Sequence, residues 1–263
     1  MRKFFLILFA VLISALPIAA AAHQPRIPEV FPVQVTEPEI SKAYYSHLAG
    51  SPQDYIIEAK KDFNLYVGLV VPDIAGQQTG VSALVVKDGN YDKPLALLDG
   101  TNHDWTKFFE PFGHDDYLEG PDYEGNAGPG TYTIRVFSQN NNEKYSLAVG
   151  KVENFDFKET ANALNIIPKL KTDFFEKSPA DFIFSPLGIG YILAMFALGG
   201  VGGFIYRLAQ WIITGRHLKT ATSGRIRHLR LALAAWLLLV AILTSWSPLM
   251  LFIAGILLFL AFF

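Results

Sequence analysis

The chain has 263 residues, no cysteine, and 22 Lys and Arg against 24 Asp and Glu, a length that suits one large domain or two smaller ones. Without cysteine, thiolate catalysis, iron–sulfur clusters, cysteine zinc sites and a disulfide scaffold are excluded. The near-neutral total conceals a split. Every acidic residue lies at or before Asp181, so the stretch from His23 to Asp181, with 14 Lys and Arg against 24 Asp and Glu, carries a net charge of −10. Such a stretch repels phosphate backbones and argues against nucleic acid as a partner.

In chain order, the N-terminus has the three parts of a secretory signal. Arg2 and Lys3 precede an apolar core from Phe4 to Ala19, and Ala20-Ala21-Ala22 offers small residues for a cut before His23. Residues 1–22 are therefore expected to be a signal peptide, with an uncleaved anchor as the other reading. Residues 23–43 form a proline-rich lead-in (Pro25, Pro28, Pro32, Pro38) expected to be extended.

Short runs of period-two alternation then predict strands at Tyr44–Leu48, Tyr55–Ala59, Leu65–Val71, Val81–Val86, Thr131–Phe137 and Tyr145–Val149, with one or two more between Leu95 and Tyr123. In the Thr131 run, Tyr132, Ile134 and Val136 share one face, and Thr133 and Arg135 the other. Asn140-Asn141-Asn142 is a turn, so the last two runs are expected to form a hairpin. With no helical pattern interrupting the series, an antiparallel β-sandwich over residues 44–152 is the predicted fold.

Gly130-Thr131-Tyr132-Thr133-Ile134-Arg135-Val136, a polar turn, then Lys144-Tyr145-Ser146-Leu147-Ala148-Val149-Gly150 resembles the closing hairpin of bacterial pre-peptidase C-terminal domains. Upstream, Tyr45 to Gly50 followed by Tyr55-Ile56-Ile57 resembles that family's opening strands. Ser51 and Gln53 stand where the family commonly carries aspartates. The resemblance spans about Tyr44 to Gly150. It implies an all-β, jelly-roll-like sandwich that serves exported proteins as an accessory or binding module, and it implies no catalysis.

Residues 153–181 change period. Phe157, Ala161, Leu164 and Ile167, then Leu170 and Phe174, recur at helical spacing around Pro168, predicting two short amphipathic helices as a connector. Residues 182–206 are uncharged and long enough to cross a bilayer. Residues 207–230 follow with Arg207, Arg216, Lys219, Arg225, Arg227 and Arg230 and no acid, which by the positive-inside rule predicts a cytoplasmic loop beside lipid headgroups and an extracytoplasmic sandwich. Residues 231–263 exceed one span. Thr244-Ser245-Trp246-Ser247-Pro248 favours a break and a third crossing over one long or kinked helix. Gly199 and Gly203 permit close helix packing, against the chain's own later spans or against a membrane partner.

Candidate chemistry is sparse. Asn102-His103-Asp104 and His114-Asp115-Asp116, with Glu119, Asp122 and Glu124 nearby, gather carboxylates that could hold a cation through Asp104, Asp115 and Asp116. The spacing fits no known metal motif, so a solvated acidic loop is the expectation, with no cofactor. Trp105, Phe109, Phe112 and Tyr117, beside Phe108 and Tyr123, either pack in the core or form an aromatic surface for a glycan or an envelope protein. No nucleophile elbow, phosphate loop, dinucleotide fingerprint or His-Glu-x-x-His is present. The expected function is thus non-enzymatic: a membrane-anchored, extracytoplasmic binding or accessory protein. The alternatives are an accessory subunit of a larger membrane complex, and an envelope hydrolase with an unrecognised site.

Overall fold

A computed structural model describes residues 23–214, 224–244 and 246–262. The predicted signal peptide lies outside the described residues, as do Arg216 and Lys219. The chain divides into two compact units between Lys177 and Ser178.

Among the described residues of the first unit, eleven strands form two sheets. One has six strands, in the order β1 (Gln24–Arg26), β3 (Lys42–His47), β11 (Lys144–Val149), β5 (Phe63–Pro72), β9 (Asp115–Ala127) and β8 (Thr106–Glu110). The other has five: β2 (Val33–Gln34), β4 (Gln53–Ala59), β10 (Gly130–Phe137), β6 (Ser82–Lys87) and β7 (Ala96–Leu98). Alternation explains the packing. Tyr55 and Ile57 of β4, Leu65, Val67 and Leu69 of β5, Tyr132, Ile134 and Val136 of β10, and Leu147 and Val149 of β11 all enter one core between the sheets, while Thr133 and Arg135 point outward. One polar thread crosses that core. Tyr55 donates to the Tyr145 hydroxyl at 2.8 Å, and Tyr145 donates to Gln53 Oε1 at 2.5 Å, so neither of these two phenols is buried without a partner.

Four sequence expectations change. The lead-in is more than extended chain, since β1 and β2 each add a parallel edge strand, to β3 and β4 respectively, making both sheets mixed. Three strands, not one or two, lie between Leu95 and Tyr123, and the last runs on to Ala127. β10 and β11 are not a hairpin. β10 pairs with β4 and β6, and β11 with β3 and β5, so the turn at Asn141 (φ 49°) carries the chain from one sheet to the other. Both strands have an apolar inner face, and that pattern suits facing sheets as well as neighbouring strands.

Last, the connector is one helix, α1 (Phe157–Asp173), with Pro168 inside it. Its N-terminus is capped by Asp156, which accepts from Glu159 N at 2.8 Å. Proline costs the helix a hydrogen bond, but Pro168 sits on the buried stripe with Ala163, Ile167, Leu170 and Phe174. Leu170, Phe174 and Phe175 pack on Tyr117, Tyr45 and Val70 of the six-stranded sheet's outer face, and tertiary burial overrides the local break.

The second unit opens with a 3₁₀ turn (Pro179–Phe184) and continues as α2 (Pro186–Thr214), α3 (Gly224–Thr244) and α4 (Pro248–Phe262). The first long helix therefore starts later and ends later than the uncharged stretch 182–206. Arg207 lies within α2, and Arg225, Arg227 and Arg230 lie on the first turns of α3, so these four are helical rather than in a loop. The expected break is present. Trp246 takes φ 52° between α3 and α4, and its buried ring donates to Pro179 O at 2.9 Å and meets Phe182 edge-on. α2 and α3 are long and apolar enough to cross a membrane. α4, at 15 residues, reaches about 22 Å at helical rise.

Gly199 and Gly203 both face α4. A Cβ on Gly199 would lie 2.4 Å from Phe252 O and 2.7 Å from Gly255 Cα, and one on Gly203 would meet the Phe259 ring at 2.6 Å. The small residues thus bring two helix backbones together within the chain itself. Arg230 Nη1 donates to Leu260 O at 2.5 Å, satisfying a carbonyl in the last turn of α4.

Candidate functional site

Of the polar and aromatic residues singled out by sequence, Phe109, Phe112, Asp115, Asp116 and Tyr117 lie on one structure, the β8–β9 hairpin at the edge of the six-stranded sheet, with α1 laid across its outer face, and Asp104 and Trp105 precede it. Register places Phe108 opposite Tyr117 and Glu110 opposite Asp115. Glu119, Asp122 and Glu124 belong to β9 and not to a loop.

The expected solvated acidic cluster is divided by burial. Asp115 is buried, and its carboxylate accepts from the fully buried Lys171 of α1 at 2.7 Å. Lys171 also donates to Gly113 O at 2.5 Å and His114 O at 3.1 Å, which occupies all three of its N–H bonds. Lys177 reaches Asp115 at 3.5 Å and Asp116 at 3.2 Å. Asp104 is exposed and apart from this network. Ammonium groups therefore stand where a cation would have to bind Asp115 and Asp116. Among the described residues no three His, Asp or Glu side chains come together to hold a metal ion.

Next to this pair lies a cavity of about 120 Å³ lined by His23, Tyr45, Phe108, Glu110, Phe112, Asp115, Tyr117 and residues of α1. The Tyr45 and Tyr117 hydroxyls bond each other at 3.0 Å, and burial pushes both phenols well above their usual range. Glu110 accepts from Phe112 N at 2.7 Å and Gly113 N at 2.6 Å. Burial nonetheless raises its pKa, and the Asp115 charge adds to the rise. Asp115 is raised by burial as well, with Lys171 opposing. Sequence reading missed Glu110, Tyr45, His23 and Lys171. The one local signal was a lysine at 171 on the apolar stripe of α1, four residues after Ile167.

The aromatic candidates separate in the same way. Tyr117 is buried, edge-on to Phe175 at 5.2 Å. Trp105 donates to Gly100 O at 2.8 Å, and its ring fills the space above Gly120, where a Cβ would lie 2.5 Å from it. Phe112 meets Phe155 edge-on at 5.4 Å. Phe109 remains 47% exposed, as does Phe108 at 43%, a residue not in the predicted ligand set. They stand on opposite faces of β8, the sheet's edge strand.

A second and larger cleft, about 460 Å³, is lined by Gln24, Arg26, Lys42, Tyr44, Asn154, Asp156 and Glu159 among others. Two of its cations are already engaged. Arg26 binds Glu159 through both oxygens at 2.8 and 2.9 Å, and Lys42 donates to Thr36 O at 2.6 Å and Glu37 O at 3.0 Å. Burial raises the Tyr44 phenol to about 12.

No protein-family model and no curated protein matches this chain. Among solved structures, the pre-peptidase C-terminal domain of a Bacillus anthracis collagenase is similar over 49% of this chain and 95% of its own, at 13% identity and a TM-score of 0.28. A surface-associated copper-binding protein of Methylomicrobium album BG8 matches 49% of this chain and all of its own, at 8% identity and 0.25. A β-glucosidase from Paenibacillus barengoltzii matches half of this chain but only 12% of its own, at 11% identity and 0.23. Likenesses this distant assign no activity or ligand to the chain.

Proposed function

We propose that the chain is an exported protein held in the cytoplasmic membrane by its C-terminal helices, with the sandwich outside the cytoplasm as a non-enzymatic binding or accessory domain. The observation that carries the anchor is the uncovered apolar surface of the helices. Ile213 is 83% exposed and Leu229 68%, and Trp236, Leu239, Leu243 and Leu249 are likewise exposed. Water does not tolerate a belt of this size on a monomer, whereas lipid does. The cations after Asp181 and the Arg2/Lys3-led apolar start support one orientation, sandwich outside.

A binding role is supported by Phe108 and Phe109, exposed on the two faces of the edge strand β8, where an envelope protein or glycan could meet the open strand edge. A non-enzymatic role is supported by the engagement of the buried groups with one another: Asp115 with Lys171, Tyr45 with Tyr117, and Glu110 with two backbone N–H groups. The lipid-facing helices also suit a subunit of a larger membrane complex, which is the second reading.

Orientation is tested by cysteine labelling in a chain that has no cysteine of its own. In intact cells Asn140→Cys should react with an impermeant thiol reagent, and Thr222→Cys should react only after permeabilisation. The reverse pattern would overturn the extracytoplasmic assignment. Binding of envelope glycans or proteins by residues 23–177 alone would favour the accessory domain. Co-purification of a membrane partner that requires α2–α4 would favour the complex.

A further inference from the structure

Chain export has a chemical consequence at His23. A cut after Ala22 would leave His23 as the first residue, with a free α-amine on the residue that carries an imidazole. An amine and the Nδ1 of the same histidine close a six-membered chelate around one ion. Two nitrogens with nearby oxygen donors are the tetragonal ligand set that favours Cu(II) over other divalent first-row metals.

The fold holds this position in place. Chain ends normally fray, but here the next residue is locked into β1. Gln24 N donates to Ser41 O at 2.9 Å, and Gln24 is buried. Its side-chain amide donates to Asn154 O at 2.5 Å, which ties the segment holding Glu153 to the start of the chain. Glu153 is the residue before Asn154 in that segment, so this bond brings its carboxylate to the neighbourhood of the chain start. Backbone nitrogens are excluded as further ligands, because Gln24 N is committed to the sheet and Pro25 has no N–H. His23 Nδ1 now hydrogen-bonds the Ser41 hydroxyl, and a metal ion would take the place of that bond. Side chains alone make no metal group here. The missing donor is the main-chain amine that processing would create.

We infer that removal of residues 1–22 generates a Cu(II) site in which the α-amine and Nδ1 of His23 chelate the ion and the Glu153 carboxylate supplies an adjacent oxygen. The inference rests on the export reading proposed above, and N-terminal sequencing separates the two.

The test uses the full-length protein, exported, extracted from its membrane in detergent and stripped with chelator. Its N-terminus should read His-Gln-Pro. Titration with Cu(II) should fill one equivalent and give an electron paramagnetic resonance spectrum with two nitrogen ligands. His23→Ala should lose that equivalent. Acetylation of the α-amine should abolish the two-nitrogen spectrum, and so should Ala20→Leu/Ala22→Leu, which keeps the leader attached. All three leave the rest of the sandwich intact, as far-ultraviolet circular dichroism would show. Glu153→Gln should weaken binding by about tenfold or more while keeping both nitrogens. A chain that begins at His23 but binds no Cu(II), or binds it equally after acetylation, overturns the site while export stands. A chain that begins elsewhere overturns the site and leaves export standing, whereas a chain that stays in the cytoplasm overturns both. Unchanged affinity in Glu153→Gln overturns the assigned oxygen.

Discussion

Val136 and Ile213 are both β-branched and apolar, yet Val136 is wholly buried and Ile213 is 83% exposed. The first belongs to a strand of alternating polarity, whose apolar half is consumed by a facing sheet. The second belongs to a helix that is apolar on every side, of which the neighbouring helix α4 covers only the glycine-lined stripe. The sandwich completes its own burial, whereas the described helices of the second unit leave large apolar side chains exposed on their outer surface. The same hydrophobic effect acts on both regions, and what differs is how much of the apolar surface the fold itself covers.

The largest expected effect tests the claim that the sandwich is self-sufficient. Residues 23–177 should be soluble and monomeric and should unfold cooperatively without α2–α4. Val136→Asp in that fragment should abolish the transition, since an unpaired carboxylate in this core costs several kcal/mol against a total of about 5–15. Thr133→Asp, on the outer face of the same strand, should shift the midpoint only slightly. Equal loss from both substitutions would show that β10 is buried on two sides.

Next in size is the buried ion pair beneath α1. Lys171→Ala should destabilise the fragment by about 3–5 kcal/mol in urea denaturation, because it strands a buried Asp115. Lys171→Met combined with Asp115→Leu should recover most of that loss. A single substitution without effect would mean that the Asp115 carboxylate is reached by water.

In the helical unit the sensitive positions are glycines. Gly199→Ala should cost about 1–3 kcal/mol, since its Cβ would lie 2.4 Å from Phe252 O on the neighbouring backbone. Gly190→Ala meets nothing within 4 Å and should stabilise α2 by up to about 1 kcal/mol. Thermal unfolding in detergent compares the two. If Gly199→Ala is harmless, α2 and α4 are not in backbone contact.

The smallest effect is a pH dependence. Burial raises the Glu110 pKa above its ordinary 4.5, so the folded state holds this proton more tightly than the unfolded chain does. Its contribution is therefore most favourable below pH 4.5 and declines as pH rises from there through the elevated folded value. Glu110→Gln removes the titration. The stability of the natural fragment relative to this variant should fall as pH rises above 4.5, and a constant difference would show that the carboxyl is solvated.

Much of this architecture was legible in the residues. Tyr132, Ile134 and Val136 announced an inner face, and Thr133 and Arg135 an outer one, because side chains on a strand alternate whatever the partner strand is. The uncharged stretches after Asp181 announced apolar helices, and the Trp246–Pro248 region announced a break between two of them. The candidate site was less legible. Asp115 read as one carboxylate among several in a polar stretch, and its partner Lys171 is 56 residues away on an element of different period.

The sequence by itself determined which residues are apolar, at what period, and how charge divides at Asp181. These are local properties, carried by each residue and its near neighbours. Only the tertiary structure decided that β10 and β11 face each other across the core instead of pairing side by side, that Pro168 stays inside a helix, and that an ammonium group fills the space beside Asp115. Each of these depends on which distant segment lies opposite. Periodicity gives the orientation of a side chain relative to its own backbone, and the partner it meets is set by packing between elements far apart in the chain.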